Sequence, residues 1–123
     1  MKEIIEYTEK VFEEIKHVDE EGNEYWLARE LQIVLDYKKW QKFINVINDS
    51  IVACKQSNQL TNYHFTHLGK MIKLGKGGMR CIDDYKLSRY ACYLIVQNSD
   101  SRKEVVALGK TYFAVQTRKQ ELS

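Results

Sequence analysis

The chain has 123 residues, 44% of them hydrophobic and 11% aromatic, enough for one domain that buries about two-thirds of its unfolded surface. It holds no apolar run of the ~18 residues a membrane helix needs, and its mixed, charged start, MKEIIEYTEK, is not a signal peptide. The formal net charge of +2 conceals an asymmetry, with 4 Lys/Arg against 11 Asp/Glu in residues 1–36 and 15 against 6 in residues 37–123, a split that means either a basic surface for an acidic partner or solvated element faces.

Residues 1–10 read as an N-terminal arm and residues 11–123 as a single domain. There is no proline, so glycine and polar clusters must mark the boundaries. Phe12 to Val18 alternates imperfectly, Asp19 to Asn23 has turn composition, and Glu24 to Leu27 follows, which predicts a β-hairpin. Leu27 to Leu35 switches to helical spacing through Ala28, Leu31 and Leu35. Asp36 closes that helix, since Asp tolerates the left-handed conformation less well than Gly but better than most residues. Trp40, Phe43, Ile44, Ile47, Ile51 and Cys54 trace one face of a longer helix from about Lys39 to Gln56.

Residues 60–70 carry no clear pattern. Met71 to Leu74 and Cys81 to Leu87 predict two strands joined by Gly75-Lys76-Gly77-Gly78, a second hairpin. Ser88 is placed to cap the next helix, with Ala91, Leu94, Ile95 and Asn98 on one face. Ser101 to Glu104 has the spacing of a capping box, and Val105, Leu108, Tyr112 and Val115 then line a last helix to about Gln120. The expected fold is α+β, a small antiparallel sheet from two hairpins packed against about four helices.

Cys54, Cys81 and Cys92 are odd in number with no CxxC, so free thiols in a reducing cytoplasm are expected rather than a disulfide framework. His64 and His67 form an H-x-x-H pair, but zinc takes about four ligands and no Cys or further His stands close in sequence. Asp83 and Asp84 fall on a strand, where neighbours point to opposite faces and cannot readily share a metal or a proton. No metal, cofactor or catalytic group is expected. The Gly75–Gly78 tip lacks the phosphate-loop pattern. It is a plain turn, or one where Lys73, Lys76 and Arg80 gather to meet phosphates near bare backbone. The short break at Asp36 to Lys39 resembles a helix-turn-helix, its second helix opening on Lys38, Lys39, Trp40, Gln41 and Lys42. An ordinary helical hairpin with Trp40 in the core is the alternative.

The stretches FEEIK (residues 12–16) and EYWLAREL (residues 24–31) are similar to the opening of the BRO amino-terminal domain, which baculovirus repeated-ORF proteins, phage antirepressors and bacterial damage-inducible proteins share. DDYKLSRYACYLI (residues 83–95) and TYFAVQTRKQE (residues 111–121) resemble the damage-inducible branch most closely. The resemblance covers about residues 11–121. It implies a BRO-N-like α+β fold and a DNA-associated bacterial protein of the SOS response. It implies no enzymatic activity, no membrane association, and a helical region beyond this chain, which would make these residues the N-terminal part of a longer product. The implied partners are single- or double-stranded DNA, or a recombinase filament on single-stranded DNA. The alternative is an antirepressor-like protein–protein module without intrinsic DNA binding. Homo-oligomerisation is left open. Two positions depart from the expected pattern, Asp36 where Gly is expected and Lys110 where a smaller or neutral residue is expected.

The candidate contacts to phosphate or to an acidic partner are Lys38, Lys39, Lys42, Lys73, Lys76, Arg80, Arg89, Lys103 and Arg118. Arg89 stands first among them, because it follows the Ser88 cap inside the most family-like block. The competing role for Arg89 is a structural salt bridge to Asp83 or Asp84.

Overall fold

A computed structural model describes residues 11–100 and 102–122, with side chains of the last helix described to residue 116. The N-terminal arm expected over residues 1–10, and Ser101 of the expected capping box, lie outside the described residues. The elements are α1 (11–15), β1 (His17–Val18), β2 (Glu24–Leu27), α2 (Ala28–Val34), α3 (Trp40–Gln56), α4 (Thr61–His64), β3 (Phe65–Lys73), β4 (Met79–Leu87), α5 (Arg89–Asn98) and α6 (Glu104–Leu122). The four strands form one antiparallel sheet in the order β1-β2-β4-β3. The described residues thus form the expected α+β architecture, two hairpins under helices.

Both hairpins use the same tight turn. Asp19 N–H donates to the Asn23 carbonyl (2.9 Å) and Leu74 N–H to that of Gly78 (2.8 Å). In each, a glycine one residue earlier, Gly22 or Gly77, takes a positive φ of 85° or 88°. This is a three-residue loop closed by a left-handed glycine, the geometry that suits the right-handed twist of paired strands. Asp19 pins the first turn further, its Oδ1 accepting from the backbone N–H of Glu21 and of Asn23, both at 2.9 Å.

The segment expected as the first strand is instead mostly helical, and only His17 and Val18 pair with β2. Two i,i+3 relations explain the difference. Phe12 and Ile15 place apolar groups on one helical face, and the Glu13 carboxylate meets Lys16 Nζ at 2.7 Å. Phe12 is fully buried. Its ring stacks on Tyr112 and meets Phe113 edge-on, both at 5.2 Å between centroids, and its carbonyl accepts the Trp26 indole N–H at 3.0 Å.

α2 and α3 end alike. Asp36 (φ 59°) and Asn58 (φ 58°) take the left-handed conformation just past each helix. Tyr37 N–H donates to Gln32 and Asp36 N–H to Ile33; Gln59 N–H donates to Cys54 and Asn58 N–H to Lys55. These paired 6→1 and 5→2 bonds satisfy the last carbonyls of both helices. Asp36 therefore does the work of the glycine expected there.

α5 is the hub of the core, burying Ala91, Cys92, Leu94, Ile95 and Val96. Ser88 caps it as predicted, its Oγ accepting from Ala91 N–H at 3.1 Å. α3 packs Phe43, Ile47 and Cys54 beneath it. The inward face of α6 is offset from the expected one. It presents Val106, Gly109, Tyr112 and Phe113, while Val105, Leu108 and Val115 are only half-buried. Gly109 explains the offset: a Cβ there would stand 3.2 Å from Val96 Cγ1 and 3.4 Å from Phe12 Cζ, so the helix approaches α5 and α1 most closely where it has no side chain. Among the described residues no helix is long and apolar enough to cross a membrane.

Candidate functional site

The second hairpin is longer than its apolar pattern predicts, with nine residues in each strand and a continuous register from Phe65↔Leu87 to Lys73↔Met79. β2 joins β4 only at Trp26↔Leu87 and Leu27↔Lys86. Beyond that, β3 and β4 run on as a two-stranded ribbon. Residues 69–82 contain Lys70, Lys73, Lys76 and Arg80 and no carboxylate. All four cations are exposed and none forms an ion pair among the described residues. Directly opposed residues share a face, so Lys73 lies with Met71, Met79 and Cys81. Lys70 and Arg80 lie on the other face, and Lys76 sits at the turn.

A second basic group stands beside the ribbon. Lys38, Lys39 and Lys42 are exposed at the start of α3, where the first turn holds no acidic residue and Lys39, at the N-cap, offers no side-chain acceptor. Cations at the positive end of a helix are electrostatically unfavourable, and an anion there would relieve both the lysines and the free N–H groups. Between the two groups lies a groove of about 370 Å³ lined by Arg29, Trp40, Gln41, Arg80 and Asp83, among others. Arg29 was not among the expected contacts. Its guanidinium carbon lies 3.8 Å above the Trp40 ring and its Nε donates to the Asp83 carbonyl at 2.8 Å. Trp40 is thus half-buried under a cation rather than sealed in the core.

The adjacent aspartates do separate jobs. Asp84 is buried and accepts from Arg29 N–H at 3.0 Å, so a β4 carboxylate caps the N-terminus of α2. Asp83 is exposed and meets His67 Nε2 at 2.8 Å. His64 turns the other way, with Nδ1 at 2.6 Å from Ser88 Oγ, and burial lowers its pKa. The two histidines are thus held by different partners, and among the described residues no three His, Cys, Asp or Glu side chains are grouped to hold a metal ion.

Two of the expected contacts, Arg89 and Lys103, stand apart from this surface. Arg89 is drawn inward. Its Nε and Nη2 grip the two Glu24 oxygens at 2.9 and 2.8 Å, Nη1 reaches Tyr112 OH at 3.3 Å, and Glu13 lies 3.6 Å away. Its ion-pair partners are thus Glu24 and Glu13, on β2 and α1, not Asp83 or Asp84. The Glu24 hydrogen bonds raise its pKa against the cost of burial, and the same bonds hold Glu24 below the usual carboxylate range. Burial pushes the Tyr112 hydroxyl up to about 12. Lys103 Nζ donates to the Asp36 carbonyl at 2.7 Å and lies 3.7 Å over the Tyr37 ring, fastening the end of α2. Arg118 belongs to α6, and its side chain lies outside the described residues.

Residues 14–114 match the BRO family, N-terminal domain. Over 112 residues the chain is 46% identical to the DNA damage-inducible protein D of Escherichia coli (strain K12), an alignment that takes in 91% of this chain and 41% of that protein. No solved structure matches. The matched span runs from the end of α1 through the whole sheet and ribbon to the middle of α6, and the chain belongs to the BRO N-terminal domain family.

Proposed function

We propose that this chain is the DNA-contacting module of a damage-inducible regulatory protein, a binding domain and not an enzyme. Its similarity to a protein named for DNA-damage induction supports the setting. The observation that carries the reading is the ribbon, where Lys70, Lys73, Lys76 and Arg80 stand exposed with no carboxylate among residues 69–82. Phosphate contacts of this kind position a protein on nucleic acid without reading its sequence. The Lys38, Lys39 and Lys42 cluster and Arg29 extend the basic surface across the groove. Arg89 and Lys103 support the scaffold in this reading, because their charged ends are already engaged.

A second reading is a protein–protein module acting on a recombinase filament or a repressor. Leu60 and Tyr63, 76% and 72% exposed beside α4, favour it, since such apolar groups anchor protein interfaces better than they contact phosphate. Fluorescence anisotropy with labelled duplex, labelled single strand and a recombinase filament, measured side by side, separates the two. The DNA reading expects affinity for naked DNA that falls when Lys73, Lys76 and Arg80 are replaced by Gln. Binding to the filament alone would establish the second.

A further inference from the structure

The ribbon carries a second signal that phosphate binding does not use. Met71 and Met79 are 59% and 54% exposed, and Leu74 at the turn is 45% exposed. The register places Met71 opposite Cys81 and Met79 opposite Lys73, so both methionines project from one ribbon face. Leu74, the residue after Lys73, alternates to the opposite face, where its Cδ1 would stand 3.5 Å from a Cβ at Gly78, and with Lys76 it leads into a turn otherwise made of Gly75, Gly77 and Gly78. Three large apolar side chains are therefore held in water on the outer ribbon, the two methionines on one face and Leu74 on the other at the tip. From Leu68 to Lys73 the ribbon extends on the order of 17 Å at ~3.3 Å per residue.

We infer that the outer ribbon enters the minor groove of duplex DNA and wedges Met71, Met79 and Leu74 against or between base steps, kinking the duplex; the inference rests on the DNA-contact reading above. Charge complementarity selects the occupant, because four cations without a carboxylate flank these apolar side chains and would repel a basic protein surface. The composition selects the groove. Residues 69–82 contain no Asn, Gln, Ser or Thr and no acid, so the ribbon lacks most of the side chains that read base edges in the major groove. What it offers is Lys and Arg with apolar wedges, the equipment of minor-groove proteins that bend DNA. A two-stranded ribbon is wider than the ~6 Å minor groove of straight B-DNA. Entry therefore requires the groove to open, and unstacking a base step opens it. The bare glycine turn lets backbone approach the groove walls.

The test is a 30-base-pair duplex carrying a donor and an acceptor dye at its ends, with 2-aminopurine at interior steps, titrated with wild type and two triple variants. Wild type is expected to bring the ends together by a kink on the order of 20–90° and to raise 2-aminopurine emission through unstacking. A prebound A·T minor-groove dye should be displaced. Met71→Ser/Leu74→Ser/Met79→Ser should still bind, with affinity reduced by no more than about tenfold because the phosphate contacts remain, but should lose both the kink and the emission change. Lys73→Gln/Lys76→Gln/Arg80→Gln should bind far more weakly, since three phosphate contacts are removed. All six positions are exposed, so unchanged melting curves are expected for both variants. Wild-type binding without a kink, or a kink that survives the serine variant, would overturn the wedge and leave DNA contact standing. Absence of wild-type binding at low salt would overturn both. Loss of filament binding in the serine variant with DNA binding and bending unchanged would reassign the apolar face to a protein partner.

Discussion

Arg89 and Glu24, 65 residues apart, are joined by two parallel hydrogen bonds of 2.9 and 2.8 Å, which clamp the start of α5 to β2. Tyr112 of α6 and Glu13 of α1 close the network from the other side, with Tyr112 OH donating to Glu13 Oε1 at 3.0 Å. One guanidinium thus ties together four elements from both ends of the chain. Arg89→Gln is expected to lower stability by about 2–3 kcal/mol, between the limits for exposed and buried pairs. It should leave the salt dependence of DNA binding unchanged. Chemical denaturation and anisotropy on the same variant check both halves, and a stable variant with a shallower salt slope would put Arg89 back among the phosphate contacts.

The same pair sets an acid limit. Arg89 hydrogen bonds lower the Glu24 pKa, and Lys16, Tyr112 and Arg89 together lower that of Glu13 against its partial burial. A carboxyl group depressed in the folded state binds fewer protons there than in the unfolded chain. Its stabilisation is therefore full above the unfolded pKa near 4.5 and is lost as pH falls through the folded value. Denaturation midpoints of wild type should drop below about pH 4.5, and Glu24→Gln should flatten the upper part of that fall. The lower part should persist, since Arg102 holds Asp100 down to about 2.

Gly109 is expected to be the least replaceable position of α6. Gly109→Val would drive its side chain into Val96 and Phe12, an overpacking that costs about 1–3 kcal/mol. Leu94→Ala in α5 should cost about 2–5 kcal/mol, and Leu108→Ala, on the half-buried flank of α6, distinctly less. Thermal melts of the three variants rank them, and equal losses at Leu94 and Leu108 would show that α6 is rotated from the face described.

Asp36 is expected to tolerate glycine and not a β-branched residue. With φ at 59°, Asp36→Gly should change stability by less than about 1 kcal/mol, because relief of backbone strain and the added chain entropy of glycine oppose each other. Asp36→Val should lose about 1–2 kcal/mol or more. A neutral valine variant would mean that the turn can close another way.

How far the sequence could be read depended on where one face was buried. α3 and α5 were legible because Phe43, Ile47 and Cys54, and Ala91, Leu94 and Ile95, repeat at helical spacing against a core. The Ser88 cap and the Gly77 turn were legible as local chemistry. Phe12 to Val18 was misread because alternation over seven residues resembles a strand, while the Phe12–Ile15 and Glu13–Lys16 spacings were the better guide. β3 before Met71 was illegible for a physical reason. Phe65 is its sole buried residue, and a ribbon solvated on both faces writes no apolar period. Extending the strand back would have added Lys70 to the basic group. Arg29 was invisible from sequence, since its place over Trp40 depends on a cap from Asp84, 55 residues away. The inward turn of Arg89 likewise depends on Glu24, which looked like an ordinary strand residue.

The ribbon and the α3 lysines together should touch about four to six phosphates. Each contact releases condensed counterion, so log K for duplex DNA should fall against log salt with a slope of roughly −4 to −5, a loss of about 250- to 1000-fold between 50 and 200 mM. Lys73→Gln/Lys76→Gln/Arg80→Gln should flatten that slope by about 3. Duplex affinity measured by anisotropy across that salt range is the most direct test of the basic surface. A steep slope that shallows in the triple variant is the predicted result, and no binding at 50 mM salt, or a slope near zero, would contradict it.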